Sequence, residues 1–95
     1  MGLRALLAAA ALLLAAASPP ADELAMTEPP GAESCTGCHA SGTGVGVLQG
    51  RPAKELNQEM EAFRSGVQPA TLMNRIVNGF TPEEVTALSA WFAAQ

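Results

Sequence analysis

The residues best suited to chemistry are two cysteines separated by two residues and followed at once by a histidine, in Cys35-Thr36-Gly37-Cys38-His39. Each thiol at this spacing can add to one vinyl group of a porphyrin, and the adjacent imidazole can then reach the iron from one face. This is the attachment motif of a c-type haem. The sequence therefore predicts one covalent haem c, held by Cys35 and Cys38, with His39 as an iron ligand.

Three alternative roles for the motif fit the sequence less well. A thioredoxin-like dithiol occurs in a βαβ context, and the sequence contains no strand pattern. A zinc site needs about four nitrogen or sulfur ligands, whereas the chain has only two cysteines and one histidine. A disulfide between Cys35 and Cys38 would leave the position of His39 unexplained. The haem interpretation is therefore preferred.

The second axial ligand of such a haem must be a residue other than histidine. His39 is the only histidine, so one chain cannot form a bis-histidine haem, and methionine is the usual partner in electron carriers. Met1 belongs to the leader and Met26 to a proline-rich segment, which leaves Met60 and Met73. Met60 lies within an apolar helical stripe, where core packing accounts for it. Met73 follows a break in the helical pattern and is favoured as the ligand, with core packing as the alternative.

A histidine and a methionine together would occupy both axial positions of the iron. This ligand pair raises the reduction potential, and an iron with no open position passes electrons but does not readily bind a substrate. The ligand set therefore favours an electron carrier that is not catalytic alone. A small peroxidase or a gas sensor, which needs an open position on the iron, is the alternative class.

The first 17 residues have the organisation of a bacterial secretory signal. A short basic start ending at Arg4 precedes an unbroken run of 13 alanines and leucines from Ala5 to Ala17, and small residues occupy its end. The run is shorter than the about 20 residues that a membrane-spanning helix needs. We therefore predict cleavage after Ala17 and a periplasmic location, with a retained membrane anchor as the alternative.

The chain that remains after cleavage is short and acidic. Its 78 residues carry nine carboxylates and four basic side chains, a net charge of −5, which excludes a basic nucleic-acid footprint and suits a partner with a basic docking patch. A domain of this size usually needs a cofactor or another staple to complete its core. Residues 18–32 form a proline-rich acidic arm, and residues 33–95 form the haem-binding domain.

Helical spacing and helix-end signals predict an all-α domain of about four short helices wrapped around the haem. Four glycines predict an irregular loop between the first two of these helices. The apolar residues of this loop, Val45, Val47 and Leu48, are expected to line the haem on the histidine side. The predicted helices are Gly31–His39, Pro52–Ser65, Ala70–Asn78 and a last helix that starts with a capping box at Thr81. A short helical turn at Asp22–Met26 is a further possibility.

Two more groups of residues have expected roles. Trp91 and Phe92 should pack the last helix across the haem-bearing helix. Arg51 or Arg75 could pair with the haem propionates, because a guanidinium suits carboxylates, and the alternative for both is an exposed surface charge.

These motifs together resemble a class I cytochrome c. The similarity is closest to the cytochrome subunit of flavocytochrome c sulfide dehydrogenase and to the related haem domains of cytochrome c4. It covers the chain from about Glu33 to its end. The segments that carry it are Cys35–His39, Leu48-Gln49-Gly50-Arg51-Pro52, Met60 to Gly66, Pro69 to Ile76, and Gly79-Phe80-Thr81-Pro82-Glu83-Glu84-Val85 with Trp91-Phe92.

The resemblance implies a class I cytochrome c fold, with Met73 as the sixth ligand. It also implies a partner, the FAD-containing flavoprotein subunit of a sulfide dehydrogenase, which passes electrons one at a time to this haem and on to a downstream acceptor. A free periplasmic cytochrome c that serves a terminal oxidase or reaction centre is the alternative. The chain has Ala40 and Gly46 where the family usually has glycine and proline, so the sequence leaves open which backbone carbonyl orients His39.

Overall fold

A computed structural model describes residues 20–95, and the predicted signal at residues 1–17 lies outside the described part. Residues 20–95 form five α-helices and no strand, which confirms the all-α prediction. No helix among these residues is long and apolar enough to cross a membrane. The helices are α1 (Ala21–Met26), α2 (Ala32–His39), α3 (Ala53–Ser65), α4 (Met73–Val77) and α5 (Pro82–Ala93).

The core forms where three of these helices meet. Ala32 of α2 is only 1% exposed and packs with Leu56 of α3 and with Leu88 and Phe92 of α5. Trp91 is half-buried against this cluster, and its ring meets that of Phe92 edge-on with centroids 5.0 Å apart. The last helix therefore packs on the motif helix through these aromatic residues, as predicted.

The acidic arm is folded onto the domain. Its helix α1 matches the short helical turn that the sequence allows, and it packs against α5 with Leu24 half-buried. Ala32, the last residue that the sequence assigns to the arm, is part of the core cluster. The arm therefore contributes packing surface at both α1 and α2.

Helix α5 begins as predicted. The Thr81 side chain accepts a hydrogen bond from the Glu84 backbone N–H at 3.1 Å, and the Glu84 carboxylate accepts one from the Thr81 N–H at 2.9 Å. Pro82 occupies the first helical position. This capping box satisfies two backbone donors that the first turn would leave unpaired.

Two helix starts differ from the prediction. Pro52 is the N-cap of α3 and not its first residue, because its ψ of 133° is extended. Helix α4 begins at Met73 and not at Ala70. The side chain of Leu72 is 55% exposed, whereas Val77 is fully buried. A helix this short is stabilised mainly by packing, so it forms only where α3 covers it.

A polar contact holds the turn before α5 against α3. The Arg64 guanidinium donates to the Phe80 carbonyl at 2.9 Å, and the Glu61 carboxylate holds the same guanidinium at 3.2 Å. The Phe80 ring in turn lies against Gly31, the N-cap of α2. The start of the motif helix is therefore positioned by the turn between α4 and α5.

Replacing Gly31 by alanine should destabilise the protein by about 2–4 kcal/mol. Its φ of +92° disfavours any side chain, and an added Cβ would lie 2.5 Å from Phe80 Cε1. Gly37→Ala is the matched control, since no atom lies within 4 Å of a Cβ there and alanine is the better helix former. Urea unfolding of the two variants measures the difference. Equal loss of stability in both would contradict the packing role of Gly31.

Candidate functional site

The three motif residues lie together in the second half of α2. Cys35 and Cys38 are three positions apart on the helix, which makes them neighbours on its surface. Neither forms a disulfide, and Cys35 is half-buried whereas Cys38 is exposed. His39 is the last residue of the helix and is half-buried. The structure thus brings two reduced thiols and the only imidazole to one end of one helix.

Cys35 is the more sheltered of the two thiols. It packs against the core cluster, and its Sγ donates to the Gly31 carbonyl at 3.6 Å. Burial, with a smaller contribution from the neighbouring Cys38, raises the pKa of Cys35 above its ordinary value. Cys35 is therefore held as a neutral thiol at neutral pH.

His39 is oriented by a backbone carbonyl of the glycine-rich loop. Its Nδ1 lies 2.6 Å from the Gly46 carbonyl oxygen. Because a carbonyl can only accept, Nδ1 must donate, and the neutral ring then keeps a free lone pair on Nε2. Metal-binding histidines are commonly held in this way. The carbonyl that the sequence left open is that of Gly46, at the position where the chain departs from the family pattern.

Exposed apolar side chains flank the carbonyl that holds His39. Val45 is 45% exposed and Val47 is 41% exposed, one on each side of Gly46. Leu48, the third residue expected to line a haem, packs instead against the core cluster. The histidine end of α2 is therefore bordered by an apolar surface that is still available for contact.

The two candidate methionines lie on neighbouring helices. Met60 is half-buried on α3, in the stripe with the buried Leu56. Met73 is half-buried as the first residue of α4, at the end of the connection formed by residues 66–72. Helices α3 and α4 pack against each other. The assignment of Met73 as the sixth ligand stays a prediction.

Two buried amide oxygens have no hydrogen-bond partner among the described residues: Gln49 Oε1 and Asn74 Oδ1. Buried polar atoms are nearly always paired, so a polar group from outside the chain fits at each. An amide turned by 180° would present its NH₂ donor there instead. Asn74 directly follows Met73, and Gln49 follows the apolar loop. Sequence patterns do not single out these two residues, because their burial depends on tertiary packing.

The two arginines considered for propionate binding have different surroundings. Arg51 donates to the carboxylates of Glu55 at 2.5 Å and Glu59 at 2.6 Å. The hydrogen bonds from Glu59 and then Glu55 raise the pKa of Arg51 further above its ordinary range. Arg75 is exposed on α4. Arg51 therefore already has two anionic partners on α3, and its pairing with a propionate would compete with them.

The two cavities of the described structure lie away from the motif. One of about 360 Å³ is enclosed by α1, α3 and α5, with Leu24 and Ser89 in its wall. The other, of about 370 Å³, follows the segment from Glu28 to Ser34. Neither is lined by a motif cysteine, His39 or Met73. Within residues 20–95, no three His, Cys, Asp or Glu side chains come together as a metal-binding group.

Comparisons of the chain with protein-family models, with curated proteins and with solved structures gave no match. Its function must therefore be inferred from its own residues. The informative ones are the two reduced thiols, the oriented imidazole and the apolar residues beside it.

Proposed function

We propose that the protein is an exported monohaem c-type cytochrome that transfers single electrons through a haem with His39 and Met73 as axial ligands. The observation that carries the proposal is the 2.6 Å contact between His39 Nδ1 and the Gly46 carbonyl, next to two reduced thiols on the same helix. This contact selects the tautomer whose Nε2 can bind iron. It supports an iron ligand better than a surface histidine, which needs no such partner.

The chemistry of the donor set fits covalent attachment. Each thiol would add across one vinyl group, so that sulfur bonds to one vinyl carbon and the proton goes to the other. The addition needs no oxidant or reductant, and it uses both cysteines in their observed reduced state. A disulfide would instead require an oxidant and would leave His39 without a role.

The residues around the motif fit a large, flat, apolar group with polar edges. Val45 and Val47 present apolar surface beside His39, and covering such surface is favourable by about 25 cal/mol per Å². Two unpartnered buried amides, Gln49 and Asn74, fit polar substituents. The group would therefore satisfy both the apolar and the polar sides of this end of the domain.

Met73 suits the second axial position. As the first residue of α4, it ends a connection whose Val67 and Leu72 are 81% and 55% exposed, so this segment can cover the second face of a flat ligand. When bound, haem supplies reversible one-electron chemistry, and a thioether ligand raises its potential. His39 and Met73 together would keep water and substrates from the iron.

The resemblance to the cytochrome subunit of flavocytochrome c sulfide dehydrogenase supports a specific donor. We propose that the haem accepts electrons from the FAD of a sulfide-oxidising flavoprotein and passes them to a downstream acceptor. The nine carboxylates and four basic side chains after residue 17 suit a partner with a basic docking patch. The periplasmic location follows from the predicted signal.

The donor is tested by purifying the native protein with its partners and following haem reduction by sulfide. Co-purification of an FAD-containing protein, and faster reduction of the haem when that protein is present, are the expected results. Elution of the cytochrome alone, with reduction by sulfide no faster when the flavoprotein is added, would contradict the proposed donor. That outcome would favour the alternative, a free periplasmic cytochrome c.

A further inference from the structure

The hydroxyl of Thr43 closes the end of the motif helix. Its Oγ1 lies 2.6 Å from the Cys38 carbonyl oxygen and 2.8 Å from that of Ala40. A hydroxyl has one proton, which these two acceptors share. The last carbonyls of a helix have no partner within the helix. Thr43 therefore caps α2 directly beside His39.

The same hydroxyl also holds the segment that reaches back to the imidazole. It accepts the Val45 backbone N–H at 3.4 Å, and the next residue, Gly46, provides the carbonyl that holds His39 Nδ1. The hydrogen bonds thus form a closed path from the Cys38 carbonyl through Thr43 and Val45 to Gly46 and His39.

Side-chain packing does not fix this loop. Residues 41–47 are all exposed, and a Cβ added at Gly42, Gly44 or Gly46 would meet no atom within 4 Å. Glycines also give the backbone more freedom than other residues. The position of the Gly46 carbonyl therefore depends on hydrogen bonds, and Thr43 makes three of them.

We infer that Thr43 is a positioning residue for the proximal histidine. By fixing the loop, it sets the strength of the bond from His39 Nδ1–H to the Gly46 carbonyl. A stronger bond makes the imidazole more basic and a better electron donor to iron, which favours the ferric state and lowers the reduction potential. This inference rests on the proposed haem ligation by His39.

Thr43→Val in the haem-loaded protein tests the inference, because valine keeps the shape of threonine and removes the hydroxyl. The His39 Nδ1–H should exchange with solvent up to about tenfold faster, the size expected for loss of one hydrogen bond, and the reduction potential should rise. NMR and redox titration measure these two quantities. Thr43→Ser, which keeps the hydroxyl, should restore both toward the values of the unmodified protein.

Thr86→Val is the matched control. It also removes a threonine hydroxyl that donates to a carbonyl, that of Pro82 at 3.0 Å, and that accepts from Asn57 at 3.1 Å, but it lies on α5. Neither the exchange rate nor the potential should move in this variant. Equal shifts in Thr86→Val and Thr43→Val, or no shift in Thr43→Val, would overturn the inference.

The unmodified protein gives a test that does not depend on the folding of a variant. A His39 Nδ1–H that exchanges as fast as that of free imidazole would overturn the inference by itself. Absence of covalent haem from the mass of the native protein would instead overturn the proposed function. The exchange rates of Thr43→Val and Thr43→Ser would then still decide whether Thr43 positions the His39 ring.

Discussion

Replacing both Cys35 and Cys38 by alanine is expected to release all of the haem when the protein is extracted with acidified organic solvent. No carbon–sulfur bond then joins the porphyrin to the chain. In the unmodified protein the haem should stay entirely with the polypeptide. The absorbance of the two phases measures the partition. Haem that stays with the double variant, or that leaves the unmodified protein, would contradict attachment through these residues.

The single variants Cys35→Ala and Cys38→Ala divide the effect between the two thiols. Each should keep the haem bound through the remaining sulfur, and one vinyl group should stay conjugated with the porphyrin ring. The visible absorption of the ferrous pyridine complex should therefore move to longer wavelength in both. Ser34→Ala, which changes an exposed neighbour in α2, should leave the absorption unchanged.

Replacing Met73 by leucine is expected to abolish the absorption band typical of methionine-bound ferric haem and to lower the reduction potential. Leucine has a similar volume, so the cost in stability should stay below about 1.5 kcal/mol, while the sulfur that favours the ferrous state is lost. The vacated position should also bind added imidazole or azide. Absorption spectra, redox titration and ligand titration measure these three changes.

Met60→Leu is the control for this variant. It makes the same replacement at a half-buried methionine of α3, and it should keep the band, the potential and the resistance to added ligands. The reverse result, with the band kept in Met73→Leu and lost in Met60→Leu, would show that Met60 is the ligand. An unchanged band in both would exclude a methionine ligand from either position.

The helix ends that local chemistry determines were predictable from the sequence. The capping box at Thr81 and Glu84 and the left-handed Gly66 at the end of α3 are both present. Each depends on residues within one turn of the chain. The start of α4 was misplaced because it depends on where α3 can cover an apolar face, and no short segment of sequence contains that information.

The motif residues were likewise predictable, but the groups that position them were not. Cys35, Cys38 and His39 follow from spacing alone. The Gly46 carbonyl, which orients His39, is a backbone atom whose identity depends on the path of the loop. Thr43 carries a faint signal, since a threonine between glycines shortly after a helix often caps the backbone. Its two carbonyl partners become evident only in three dimensions.

The most direct test of the haem assignment is the intact mass of the native protein measured under denaturing conditions. We expect the mass of the chain beginning at Ser18 plus that of one haem, because two thioethers survive unfolding. The mass of the polypeptide alone, or that mass lowered only by the hydrogens lost in a disulfide between Cys35 and Cys38, would contradict covalent haem attachment.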